Sequence, residues 1–209
     1  MLYEVRAYAI TPGHVQEAVE DFGRIIERRT RLSKLTGFFT CALGELNRIL
    51  HIWEYENAAH RESVRAETLR QPWWPPLKRE HIHKQVTRLM RPASCRPRPL
   101  AGALGGVDVI RSDFLRTGMF QEVSARWAEL LPARERLSPL AAAFGNPAGE
   151  FESGVLNEFV HIWPYRDLNH WAEVREKEAG VPGWRESLDP YTVSQTGEVW
   201  LPVPYSPMH

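Results

Sequence analysis

The chain has 209 residues, 43% of them hydrophobic and 25% charged, which is the composition of an ordinary globular protein of one or two domains. Its 26 basic side chains balance 26 acidic ones, so net charge gives no reason to expect nucleic acid or an anionic membrane as partner. Two cysteines without C-x-x-C spacing, no run of about 18 apolar residues and no signal-like N-terminus predict no disulfide framework, no membrane insertion and a cytoplasmic location.

LYEVRAYAI (2–10) alternates as a strand and stops at the turn Thr11-Pro12-Gly13. HVQEAVEDFGRIIERRT (14–30) places Val15, Val19, Phe22 and Ile25 at helical spacing. FFTCAL (38–43) and NRILHIWEY (47–55) read as two strands joined through Gly44-Glu45. A second helix over AAHRESVRAETLRQ (58–71), an aromatic-rich connection WWPPLKREHIHK (73–84) and a strand QVTRLMRP (85–92) follow. The order βαββαβ is the split β-α-β, ferredoxin-like unit.

The chain then repeats itself. LNRILHIWEY (46–55) meets LNEFVHIWPY (156–165) at a shift of 110, and His60/His170, Arg65/Arg175, Trp74/Trp184 and Pro92/Pro202 keep that register. Upstream the shift is 105, pairing Arg6 with Arg111, Gly13 with Gly118 and Gln16-Glu17 with Gln121-Glu122. The difference of five falls in the turn-rich segment between Phe144 and Gly154. The units are 1–92 and 107–203, with a Pro/Gly-rich linker at 93–106 and a tail at 204–209. The fold class expected is α+β: tandem ferredoxin-like βαββαβ repeats whose bare sheet faces meet in one intrachain α/β-barrel.

Strand parity sorts the repeated motif. Leu46, Leu50 and Ile52 share one face, assigned to the helices together with Tyr3, Val5 and Ala7. Asn47, His51, Trp53 and Tyr55 share the other, repeated by Asn157, His161, Trp163 and Tyr165. With Arg6, Tyr8, Arg111 and Asp113 this mixed aromatic and polar face is the lining expected of a small-molecule pocket, assigned to the barrel interior. There His51 and His161 would move a proton, or else be structural histidines. Arg6 and Arg111 would hold a carboxylate or phosphate, or else pair internally with Glu4 and Asp113. No metal is expected, because neither histidine sits in a local H-x-x-x-H spacing, and His81-Ile82-His83 reads as solvent-facing. No P-loop, G-x-G-x-x-G, G-x-S-x-G or C-x-x-C-H motif occurs, and no cofactor is expected.

The opening Y-E-x-R-x-Y (Tyr3 to Tyr8), the T-P-G turn, the run from Leu43 into H-x-W-x-Y at Tyr55, and the later Arg65 and Trp74 resemble the NIPSNAP family. The second unit resembles it less closely: VDVIRSDFL keeps Arg111 but lacks both tyrosines. The resemblance implies a dimeric α/β-barrel. That fold group includes cofactor-independent monooxygenases, haem-degrading enzymes, isomerases and lyases, and NIPSNAP proteins have been linked to mitochondrial and vesicle-associated roles. Fold does not fix function. The leading expectation is a protein handling a small aromatic or polyketide-like anion inside the barrel, as a cofactor-independent enzyme. The rival is a non-enzymatic binding or adaptor protein with a filled aromatic core, and either reading allows a homo-oligomer.

Overall fold

Alternating apolar side chains place Leu2–Ile10 (β1), Lys34–Leu43 (β2), Arg48–Tyr55 (β3) and Ile82–Pro92 (β4) in strands. Val15–Thr30 (α1) buries Ala18, Val19, Phe22 and Ile25 along one stripe. Ala58–Leu69 (α2) starts at Asn57, whose side chain accepts from the His60 amide while the Glu56 amide donates back to His60 Nδ1. The second half follows the same plan: Val107–Leu115 (β5), Phe120–Arg134 (α3), Ala142–Gly145 (β6), Glu158–Tyr165 (β7), Leu168–Glu178 (α4) and Thr192–Pro202 (β8). Asp167 and His170 rebuild the same cap on α4. This computed structural model describes residues 1–146 and 154–209, so most of the segment expected to absorb the length difference lies outside the described residues.

Several repeat matches are explained by backbone geometry. Gly13 and Gly118 have φ of 88° and 83°, while Asn47 and Asn157 have 56° and 59°; this left-handed region is open to Gly and tolerated by Asn. Asn47 and Asn157, expected to line a pocket, are therefore turn residues ahead of β3 and β7. Each carbonyl accepts an amide from the end of the neighbouring strand, Ile10 in one unit and Leu115 in the other.

Within each unit the sheet order is β4-β1-β3-β2 or β8-β5-β7-β6, and the two sheets join into one closed antiparallel barrel. The seams differ. β2 pairs with β8 over four registered residue pairs from Phe39 to Leu43, whereas among the described residues β4 meets the short β6 at Arg91↔Gly145 and Pro92↔Phe144.

The barrel interior is packed by Tyr3, Val5, Leu50, Ile52, Val160 and Ile162, among others. Tyr8, Ile49, Trp53 and Tyr55 lie instead under the helices, with Phe22, Ile25 and Val64. The expected orientation is thus reversed in both units. The face bearing Arg6, His51 and Trp53, and likewise Arg111, His161 and Trp163, turns outward to the helices. The aliphatic face turns into the barrel because two sheets meeting face to face bury a dry interior, whereas the helices bring polar groups of their own.

Residues 93–106 and 204–209 pack onto this body. The Leu100 amide donates to Ala141 O at 2.7 Å, Ser206 Oγ accepts from the Phe38 amide at 3.0 Å, and Met208 is fully buried in the interior cluster. At the end where β1 and β5 finish, the barrel keeps a cavity of about 350 Å³ whose walls include Ala7, Leu50, Ile110 and Trp200. Arg48–Glu198 and Arg88–Glu158 ion pairs stand among its walls. Neither His51 nor Arg6 lies on that wall.

Candidate functional site

Each unit forms a cleft between its sheet and its two helices, and the same spine stands in both. Trp53 Nε1–H donates to His51 Nδ1 and Trp163 Nε1–H to His161 Nδ1, each at 2.7 Å. Over each indole lies an arginine from the first helix of the unit, Arg29 at 4.0 Å and Arg134 at 4.3 Å from the ring centre. Such a cation–π contact contributes about 0.5–2 kcal/mol. The same arginines donate to Tyr55 Oη at 3.1 Å and Tyr165 Oη at 3.4 Å.

Because Nδ1 of each histidine accepts a hydrogen bond, the neutral ring carries its proton on Nε2. In the second unit that Nε2–H donates to Asp113 Oδ2 at 2.6 Å, so both ring nitrogens of His161 are engaged. Burial is the main force holding the His161 pKa below its ordinary value, aided by Arg111 and Arg134 and opposed by Asp113. Burial pushes the Asp113 carboxyl up, but its contacts with His161 and Arg111 outweigh that and keep it ionised. His51 is held still lower by burial, Arg6 and Arg29, and its Nε2 is buried without a partner. Neither imidazole has a nitrogen ready to take a proton from a ligand, so the expected general-base role has no geometric support.

The two clefts then diverge. In the first, Glu4 gathers Arg6 at 3.0 Å, Arg61, Arg65 at 3.7 Å and Tyr55 Oη at 3.1 Å, while Arg6 Nε donates to Tyr8 Oη at 3.0 Å. Burial pushes the Glu4 carboxyl up, but Arg61, Arg6 and Arg65 together hold it below the usual carboxylate range. This network occupies the cleft, leaving a volume of about 20 Å³. Arg6 is 9% exposed, with Nε on Tyr8 and Nη1 on Glu4, so the internal ion pair is the role it fills.

In the second cleft Val109 stands in the place of Glu4, Asp113 in that of Tyr8, and Gly197 in that of Thr87. Without the central carboxylate no arginine cluster forms at that point, and a pocket of about 590 Å³ is open. Trp127, Trp163 and Trp184 form one wall, with Trp127 to Trp184 ring centres 4.7 Å apart and Trp163 to Trp184 5.9 Å. Arg134 is held by Glu178 at 3.1 Å, and Arg175 reaches the same carboxylate, so two cations share one anion. Arg111 touches Asp113 at only 3.4 Å, its side chain is 26% exposed, and it faces the pocket. The pocket lining therefore sets four arginines, Arg111, Arg134, Arg175 and Arg185, against three acids, Glu178, Asp189 and Glu198, beside indoles packed tilted and edge-on, a setting suited to an aromatic anion.

Of the residues expected to converge, the second cleft brings together Arg111, Asp113, His161, Trp163 and Tyr165, and the first Arg6, Tyr8, His51, Trp53 and Tyr55. The two sets are not joined. Arg134, Trp127, Glu178 and Gly197 were missed. Arg134 had a legible signal, an arginine seven residues after Trp127 on the apolar stripe of a helix, matched by Arg29 after Phe22.

These geometries can be set beside known proteins. The NIPSNAP family profile matches residues 3–97 and again 110–207. Human NipSnap homolog 3A is 35% identical, the alignment covering 100% of this chain and 86% of that protein. Mouse NipSnap homolog 3B is 37% identical over 73 residues, a match spanning 34% of this chain and 30% of that protein. In fold, a provisionally assigned monooxygenase from Lactobacillus acidophilus superposes with a TM-score of 0.68 at 11% identity, covering 96% of this chain and 93% of that one. With both halves matched by one profile, the chain belongs to the NIPSNAP family and carries two NIPSNAP units in tandem.

Proposed function

We propose that the protein binds a small aromatic anion in the cleft of its second unit, and that the first unit is its structural partner. The observation that carries this reading is the contrast between two clefts built on one plan: about 20 Å³ in the first and about 590 Å³ in the second. The open cleft has the concave aromatic wall and few polar groups usual in small-molecule sites. Arg111 supplies the charged contact, Trp163 and Trp184 two aromatic faces set at 88° to each other, and Asp113 and His161 hold Arg111 and Trp163 by hydrogen bonds. A neutral imidazole with both nitrogens occupied supports binding over acid–base turnover. The barrel closes within one chain, so completing this site requires no second copy.

The test is a titration with 2-naphthoate and its uncharged analogue 2-naphthol, followed by tryptophan fluorescence and thermal shift. Naphthoate should bind the more tightly. Arg111→Gln should weaken it about 10- to 100-fold, the loss expected for a charged hydrogen bond of about 1.5–3 kcal/mol. Arg6→Gln should leave ligand affinity unchanged. Equal binding of naphthol, or an Arg111→Gln variant with wild-type affinity, would overturn the proposal.

A further inference from the structure

Outside the clefts one cluster of side chains has no role in the reading above. His14 opens α1, Glu17 stands three residues on in its first turn, and His81 ends the 3₁₀ turn Arg79–His81 that leads into β4. His14 Nδ1 lies 2.9 Å and His81 Nδ1 3.6 Å from the same oxygen, Glu17 Oε2. The two imidazoles stack with centres 3.7 Å apart and planes at 28°, which brings both Nδ1 atoms to one side. One ligand atom from each of the three residues lies within 4.8 Å of the others. Zinc bonds of about 2.0–2.2 Å to nitrogen and oxygen in a tetrahedron set ligand atoms about 3.3–3.5 Å apart with the ion in the plane of each imidazole, so the two stacked rings must swing apart for both to bind one ion.

We propose that His14, Glu17 and His81 form a binding site for a divalent d-block metal ion, Zn²⁺ being the best match to two imidazoles and one carboxylate. All three residues are half-buried. Lys78 bonds the other oxygen, Oε1, leaving Oε2 to the two histidines and orienting the carboxylate toward them. The positive charge of Lys78, which bonds the same carboxylate, opposes a cation there.

The second unit supplies an internal control. At the equivalent positions it has Met119, Glu122 and Tyr191, and Tyr191 Oη donates to Glu122 Oε1 at 2.6 Å. Between the side chains at these positions, the junction of helix start and strand start is thus made there by the Tyr191–Glu122 hydrogen bond, and in the first unit by a carboxylate between two imidazoles. The ion would clasp α1 to the start of β4 in the first unit only.

The experiment uses the full chain without a polyhistidine tag, titrated with Zn²⁺ by calorimetry and thermal shift, with Co²⁺ absorption as a probe of coordination. Wild type should take up one equivalent and its Tm should rise with the logarithm of free Zn²⁺. His81→Tyr copies the junction of the second unit, so it should keep its metal-free Tm while losing Zn²⁺ affinity at least tenfold. His14→Met copies the other position and gives a second variant should His81→Tyr fold poorly. Arg111→Gln should bind Zn²⁺ as wild type does, which separates this site from the naphthoate site. No Zn²⁺ uptake by wild type, or unchanged uptake in both histidine variants, would overturn the proposal.

Discussion

Asp108 is the residue whose setting has the plainest consequence for stability. It lies at the start of β5, 2% exposed, with Oδ1 lacking a hydrogen-bond partner; Trp200, its neighbour across the ladder, has a buried indole N–H likewise unpaired. Burial raises its pKa to about 7, against roughly 3.9 in an unfolded chain. Between those values the folded protein holds a proton that the unfolded chain has released. Its contribution is therefore fully favourable below about pH 4, falls as pH rises to about 7, and is flat above that. At roughly 1.4 kcal/mol per pH unit, the ionised carboxyl costs a few kcal/mol at pH 8. Asp108→Asn should remove this slope, so urea unfolding at pH 5 and pH 8 should show a smaller difference than wild type. A variant with the wild-type difference would place the titration elsewhere.

At the scale of elements, strand alternation told which residues share a face but not which way that face points. Arg6 does stand beside His51, and Arg111 beside His161, as parity requires. Leucine and isoleucine at Leu50 and Ile52 looked like partners for helices, yet the helices bring Arg29, Arg134 and Glu178 and so accept a polar sheet face. Parity along a strand carries no sign, and only the groups on the covering helices supply one. The β-α-β order, the repeat register and the turn residues were legible because they are local. The difference between clefts was not, because it depends on Glu4 reaching arginines about sixty residues away, Arg61 and Arg65, and on the absence of a side chain at Gly197. A Cβ at Gly197 would lie 3.5 Å from Arg111 Cγ, an ordinary contact. Gly197→Thr, matching Thr87, should therefore fold normally, since threonine favours a strand. It should weaken naphthoate binding severalfold by filling the wall beside Arg111. Unchanged affinity would show that the opening of the cleft rests on Val109 alone.

The whole molecule is one sheet closed on itself, and side chains from both units share its interior: Tyr3 packs tilted against Phe144 with ring centres 4.7 Å apart. Neither unit can lose its sheet without exposing the inner face of the other. Urea unfolding followed by tryptophan fluorescence and by far-ultraviolet circular dichroism should thus give coincident transitions. Hydrogen exchange should find the weak place at the β4–β6 seam, with two residue pairs among the described residues, before the β2–β8 seam, with four. Separate transitions for the two halves would contradict a shared core.

Joining the two units in one chain has a genetic consequence. Where two identical subunits close such a barrel, every substitution is made twice and both clefts change together. Here Gly197 and Thr87, or Val109 and Glu4, are separate codons. A change in one cleft therefore leaves untouched, in the other, the charged network that holds its helices to the sheet.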